Sequence, residues 1–245
     1  MLFRDSKELS VEISKIFREI DSLPKINCSK CGATYRGEEK NFVCSNCKEQ
    51  EKQKREEQNR KNYQIQTLLN LSNIPIRYED AKFEPKTETQ QIVSRYFMEN
   101  FTQKSLKQST DILLFGSIGT GKTYISCAFA IKLINQKQNS IRYITEYDLL
   151  SLYFEKEYQE FKNFRDAQIL ILDEIGKRVL ADWQRIQLEE LLSSRYNDML
   201  PTVYITNLEQ NEFRRFLGNR LADRLRENQI KRFVFDGESL RGGIS

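Results

Sequence analysis

Histidine is absent from this chain of 245 residues, and tryptophan occurs once. Without imidazole, proton transfer and metal binding fall to carboxylates and thiolates. Proline, with four residues, and glycine, with ten, are scarce, and no internal repeat or low-complexity segment stands out. Long apolar runs are missing too: none reaches the roughly 18 residues of a membrane-spanning helix. The opening Met-Leu-Phe-Arg-Asp-Ser-Lys-Glu lacks an apolar secretory segment, so a cytoplasmic location is the expectation. Nor does one sign of charge dominate. Lys and Arg number 39 against 35 Asp and Glu, a net charge of +4, which permits contact with nucleic acid without arguing for it. What remains, 39% hydrophobic and 30% charged residues, suits one full α/β domain and a small module.

Residues 116–123, Gly116-Ser117-Ile118-Gly119-Thr120-Gly121-Lys122-Thr123, fit the phosphate-loop pattern G-x-x-x-x-G-K-[ST]. An apolar run, Ile112 to Phe115, leads in, and a helix-like stretch from Tyr124 follows. Glycines let the backbone curl round a triphosphate with its N–H groups aimed at the anion. Lys122 is placed to reach the β- and γ-phosphates and the Thr123 hydroxyl to hold Mg2+. ATP binding is the expectation.

Four of the five cysteines form two knuckles, Cys28-x-x-Cys31 and Cys44-x-x-Cys47, twelve residues apart. Two such knuckles complete a tetrahedral thiolate site, and four thiolates leave no open position, so a structural zinc is expected. A reducing cytosol disfavours disulfides, and a thioredoxin-like motif would use one knuckle beside a βαβ unit. Residues 33–35 and 41–43 read as ribbon strands joined by a turn at 36–38. Cys127 reads as a small core residue.

Leu9, Ile13, Ile16, Phe17, Ile20 and Leu23 recur at three- and four-residue spacing, an amphipathic helix closed by Pro24. Its apolar face either packs on the ribbon or docks a partner. Residues 48–61 are polar and mixed in charge, a helical connector that breaks at Pro75. The expected domains are therefore a helix and zinc module over 1–50, a linker over 51–72 and a catalytic domain over 73–245. Beyond Thr110, apolar runs at 112–115, 141–144, 169–172, 202–205 and 232–235 alternate with amphipathic stretches, which predicts a five-stranded parallel sheet with helices on both faces.

The run Ile169-Leu-Ile-Leu ends in Asp173 and Glu174. Asp173 sits where a carboxylate would help hold Mg2+, and Glu174 is the natural group to orient or deprotonate an attacking water. Asn207 ends the run at 202–205 and could position that water. Taken with Asn73-Ile-Pro-Ile-Arg-Tyr78, Leu172-Asp-Glu-Ile-Gly176, Pro201-Thr-Val-Tyr-Ile-Thr-Asn207, Leu217-Gly-Asn-Arg-Leu-Ala-Asp-Arg-Leu225 and Glu238-Ser-Leu-Arg241, the set resembles AAA+ ATPases. Within them it is similar to the DnaC/DnaI helicase loaders and the IstB transposition helpers.

The resemblance covers residues 73–245 and implies an α/β AAA+ fold without a separate lid domain. It implies Asn207 as sensor 1, Arg220 as the finger reaching a neighbouring subunit's ATP, and Arg241 as sensor 2. Arg224 lies one helical turn from Arg220 and competes for that role. The implied ligand-binding set is 116–123 with Tyr124 and Asp173, and the implied partners are a replicative hexameric helicase and single-stranded DNA. The segment Tyr147–Arg165 falls where the family touches DNA; Tyr153, Phe154 and Tyr158 could stack on bases beside Lys156 and Lys162. Aromatics at helical spacing also describe a core. Two alternatives accompany the loader: a transposition helper and a small-molecule kinase with the same phosphate loop.

Overall fold

The structure, a computed structural model, describes residues 6–103, 106–137, 139–227 and 229–240. The chain divides into two compact units, Met1–Asn62 and Tyr63–Ser245. The division falls inside one helix. Among the described residues, no helix is long and apolar enough to cross a membrane.

The first unit opens with helix α1 (Ser6–Ser22), which stops just before Pro24. On its described part Ile16, Phe17 and Ile20 are exposed, so the ribbon leaves this apolar face open. Leu9 and Ile13 have side chains outside the described set. Strand β1 (Lys25–Asn27) pairs antiparallel with β2 (Thr34–Arg36), with Ile26 opposite Tyr35. Arg36 ties the pair to α1, its Nη1 donating to the carbonyls of Asp21 at 2.6 Å and Leu23 at 3.2 Å. The expected strand at 41–43 does not form. Asn41 adopts a left-handed φ of 64°, which breaks extended backbone, and Phe42 and Val43 pack against the cysteine cluster. Helix α2 (Ser45–Leu71) then runs without interruption through the polar connector.

In the second unit the strands are β3 (Ile112–Gly116), β4 (Ile141–Thr145), β5 (Ile169–Ile175), β6 (Thr202–Thr206) and β7 (Lys231–Phe235). They form one sheet in the order β4-β5-β6-β3-β7, every pair parallel. The helices are α3 (Glu88–Met98), α4 (Lys122–Lys137), α5 (Glu146–Phe154), α6 (Tyr158–Arg165), α7 (Asp182–Asn197) and α8 (Gln210–Glu227). Strand alternation explains why the sheet is covered on both sides. Ile112 and Leu114 face a core with Phe97, Phe129 and Leu133, while Leu113 and Phe115 face a second core with Leu149, Leu188 and Leu221. Burying each such side chain is worth about 1.5–3 kcal/mol. Cys127 is fully buried in the first core, as its sequence position suggested.

Through Leu240, no helical lid follows α8; β7 joins the sheet directly. Because all strands are parallel, their carboxyl ends share one edge, and the loops after β3, β5, β6 and β7 meet there. Helix α8 is broken at Gly218, whose φ of 78° and ψ of 164° are accessible essentially to glycine alone.

Candidate nucleotide-binding site

The phosphate loop is built at the β3 carboxyl end. At Gly116 a Cβ would lie 2.6 Å from the Phe235 carbonyl oxygen, so β7 can approach only a glycine. Ser117 N–H donates to that carbonyl at 2.9 Å. Lys122 starts α4 and is buried, its Nζ donating to the Gly116 and Ser117 carbonyls at 2.7 Å each. Gln90, fully buried on α3, donates from Nε2 to the Thr120 carbonyl at 3.3 Å and so clamps the loop from behind. From the other side the chain after β7 crosses the loop, with Leu240 N–H donating to Gly119 O at 2.9 Å.

Asp173 is 4% exposed. Its Oδ2 accepts from the Thr123 hydroxyl at 2.7 Å and the Tyr143 phenol at 2.8 Å, and its Oδ1 accepts from Glu174 N–H at 2.7 Å. Burial pushes its carboxyl above the usual range, and the Thr123 and Tyr143 donors pull it back. Burial likewise raises the Tyr143 phenol, with the Asp173 charge adding to it. The pairing of β5 with β6 shifts register between Leu172 and Ile175, and Glu174 sits in the irregularity with φ 57°. Its exposed carboxylate meets Lys177 Nζ at 3.0 Å from each oxygen. Buried Glu146, at the start of α5, accepts from Gly176 N–H at 2.9 Å and secures the same turn. Thr206 secures it from β6, its hydroxyl donating to Ile175 O at 2.6 Å.

A cavity of about 410 Å³ opens over these groups, bounded by Gly119, Gly121, Lys122, Thr123, Asp173, Glu174 and Asn207, with Ile118 and Tyr124 at its rim. Its size falls within the range of small-molecule sites. Arg77, Tyr78 and Gln90 also line it. The loop residues, Asp173, Glu174 and Asn207 of the sequence expectation therefore come together. Arg220 does not border this cavity: it is exposed on α8, with Nη1 3.4 Å from Glu189 Oε1. Arg224 differs, its guanidinium lying over the Tyr196 ring at 5.5 Å. Arg241 lies outside the described residues.

Tyr143, Gln90, Glu146 and Lys177 were not singled out from sequence. Sheet register brings in Tyr143. Thr145 pairs with Asp173 in register, and Tyr143, two residues back, shares its face of the strand.

The segment 147–165 forms α5 and α6, parted at Lys156 with its φ of 61°. Tyr153 is the centre of an aromatic cluster, with ring centroids 5.4 Å from Tyr158, 5.5 Å from Phe161 and 6.3 Å from Trp183. Phe154, Tyr158 and Trp183 remain exposed, and Arg178 covers the Tyr147 ring at 4.1 Å.

In the first unit the Cys28, Cys31, Cys44 and Cys47 sulfurs all lie within 4.8 Å of one another. Cys31 and Cys44 are 3.8 Å apart, matching the roughly 3.8 Å edge of a tetrahedron with Zn–S near 2.3 Å. The Cys44 N–H holds the Cys28 thiol down at about 6, while its hydrogen bond with Cys44 lifts the Cys47 thiol to about 12. Sulfurs this close share protons unless a cation balances them, and the donor set fits zinc.

A phosphate loop on a parallel five-stranded sheet, with an acidic β5 end and a polar β6 end beside it, defines a nucleotide-binding protein of the AAA+ class. The family model described as IstB-like ATP-binding protein matches residues 34–241. The chain belongs to that family, which joins it to the DnaC/DnaI helicase loaders. Replicative helicase loader DnaC of Escherichia coli K12 is 23% identical over 194 residues, 74% of this chain and 77% of that protein. An insertion-sequence IS5376 ATP-binding protein of Geobacillus stearothermophilus is 26% identical over 187 residues, 72% of this chain and 73% of its own. The crystal structure of the DnaC helicase loader superposes with a TM-score of 0.59 at 22% identity, covering 66% of this chain and all of that one.

Proposed function

We propose that the protein is an ATP-dependent loader that delivers a hexameric replicative helicase to single-stranded DNA. The observation that carries this reading is the four-cysteine unit with the bare Ile16, Phe17 and Ile20 face, joined by α2 to an AAA+ domain. An exposed apolar helix face is suited to a protein partner. Zinc held by Cys28, Cys31, Cys44 and Cys47 would fix that unit's fold. The domain division proposed is a helicase-gripping module over 1–50, a linker over 51–72 and the ATPase over 73–245, all working in the cytoplasm.

At the nucleotide site, Lys122 would neutralise the β- and γ-phosphates. Thr123 and Asp173 would hold Mg2+, which screens the charge on those phosphates. Glu174 would orient or deprotonate the attacking water, and Asn207 would fix that water against the γ-phosphate. Before it acts, Glu174 must part from Lys177. Arg220, exposed and outside its own cavity, would complete a neighbour's site, and Arg241 would sense the nucleotide in its own. Turnover would then be weak alone and rise on assembly. Phe154, Tyr158 and Trp183 offer stacking faces for single-stranded DNA, with Lys156 in the turn between α5 and α6 and Lys162 on α6.

A second reading is a transposition helper, favoured by the family description and by the insertion-sequence relative. The discriminating test mixes full-length protein with its source's replicative helicase, with and without ATP, and measures complex mass by light scattering. A defined complex that Phe17→Asp abolishes is expected. If no complex forms under either nucleotide condition, the loader reading fails, and binding to the element's transposase becomes the next measurement.

A further inference from the structure

Three donors surround the Asp173 carboxylate. One belongs to the phosphate loop and one to the neighbouring peptide. The third, the Tyr143 phenol, comes from the edge strand β4 and reaches Oδ2 at 2.8 Å. Its ring is 7% exposed, and its own backbone is pinned, with Tyr143 N–H donating to Ser72 O at 2.7 Å.

The Thr123 hydroxyl has a single proton and gives it to the same oxygen, at 2.7 Å. Its lone pairs are thereby turned away from Asp173 and would be available to a cation. That orientation holds only while the Asp173 carboxylate is fixed in angle. Without the phenol, Oδ2 would lose one of its two donors, and hydrogen bonds to an ionised acceptor are the strong ones.

We propose that Tyr143 is a positioning residue for the metal site: it fixes the Asp173 carboxylate, and through it the Thr123 hydroxyl, in the arrangement that accepts Mg2+ with the nucleotide. The proposal rests on the ATP·Mg2+ reading above. A phenol that merely satisfied its own hydrogen bond in the core would influence folding but not discriminate between metal-bound and metal-free nucleotide.

The test uses the full-length protein and a fluorescent ATP analogue, with binding followed as Mg2+ is raised from zero. For Tyr143→Phe, the Mg2+ concentration at half-maximal binding should rise about tenfold, the low end of what a hydrogen bond to a charged group is worth. Affinity for the metal-free analogue should stay as in wild type. An unchanged Mg2+ midpoint, or equal weakening with and without the metal, overturns the positioning role alone. Wild-type protein that binds nucleotide no better with Mg2+ sinks the ATP·Mg2+ reading and this proposal with it. Should Tyr143→Phe fail to fold, 3-fluorotyrosine placed only at position 143 keeps the donor. Its fluorine resonance should shift when Mg2+ joins the bound nucleotide, and no shift overturns the proposal.

Discussion

Replacing Glu146 with glutamine should stabilise the fold by an amount that grows with pH. Glu146 is 3% exposed and accepts the Gly176 N–H at 2.9 Å. Burial lifts its carboxyl from the ordinary 4.5 to about 7, against the opposing pull of the Gly176 N–H and the Arg178 charge. The folded chain thus holds this proton more tightly than the unfolded chain. Stability conferred by that proton is complete below pH 4.5 and is lost as pH rises toward 7, levelling off above. At about 1.4 kcal/mol per pH unit, the ionised side chain costs the fold about 3 kcal/mol at pH 8 and less than about 1 kcal/mol at pH 5. Glutamine keeps an acceptor for Gly176 and removes the charge.

The assay is thermal or urea unfolding of both proteins from pH 5 to pH 8, followed by fluorescence. Trp183, the single tryptophan, lies in the same unit and reports that unit alone. No histidine titrates in this window. Asp173 is also pushed upward by burial, but its contribution cancels when variant and wild type are compared. The gain in Tm at pH 8 should be about 5–10 °C for a unit of this size. A difference that stays constant from pH 5 to 8, or a glutamine variant that is less stable at pH 8, would refute the reasoning.

Other substitutions separate roles that neighbouring residues share. Glu174→Gln should bind ATP as tightly as wild type while hydrolysis falls by about 10²–10⁴-fold; paired binding and phosphate-release measurements check it. Arg220→Ala should leave nucleotide binding intact and lower turnover of the assembled protein by about 10³-fold, whereas Arg224→Ala should act mainly on stability, costing about 1 kcal/mol by loss of its contact with Tyr196. Assembled-state ATPase rates beside melting curves tell these apart, and intact turnover in Arg220→Ala would end the finger assignment. The protein should carry one zinc by elemental analysis, and a strong chelator should expose residues 25–47 to protease while the second unit's melting transition persists.

The parts of the fold that could be read in advance share one property, which is locality. Runs such as Ile169–Leu172 lie in strands covered on both faces, so they are continuously apolar and stand out. The same strand's extension to Ile175 did not, because Asp173 and Glu174 are charged and the backbone turns left-handed at Glu174. In the cysteine unit Phe42 and Val43 resemble a strand, yet metal-type geometry uses them as cover for the sulfurs and the pairing passes to Lys25–Asn27. The phosphate loop is contiguous and therefore visible. Tyr143, Gln90, Glu146 and Lys177 come from separate segments that only the sheet register and helix packing bring to the loop. Arg220 and Arg224 make the point most sharply. In sequence they are equivalent, four residues apart on one helix, and only α7 distinguishes them. Its Tyr196 takes the Arg224 guanidinium over its ring, while its Glu189 meets Arg220 at an exposed surface, where an ion pair is worth little and is easily exchanged. An arginine held that weakly is freed at small cost, whereas freeing one stacked on an aromatic ring costs about 0.5–1 kcal/mol.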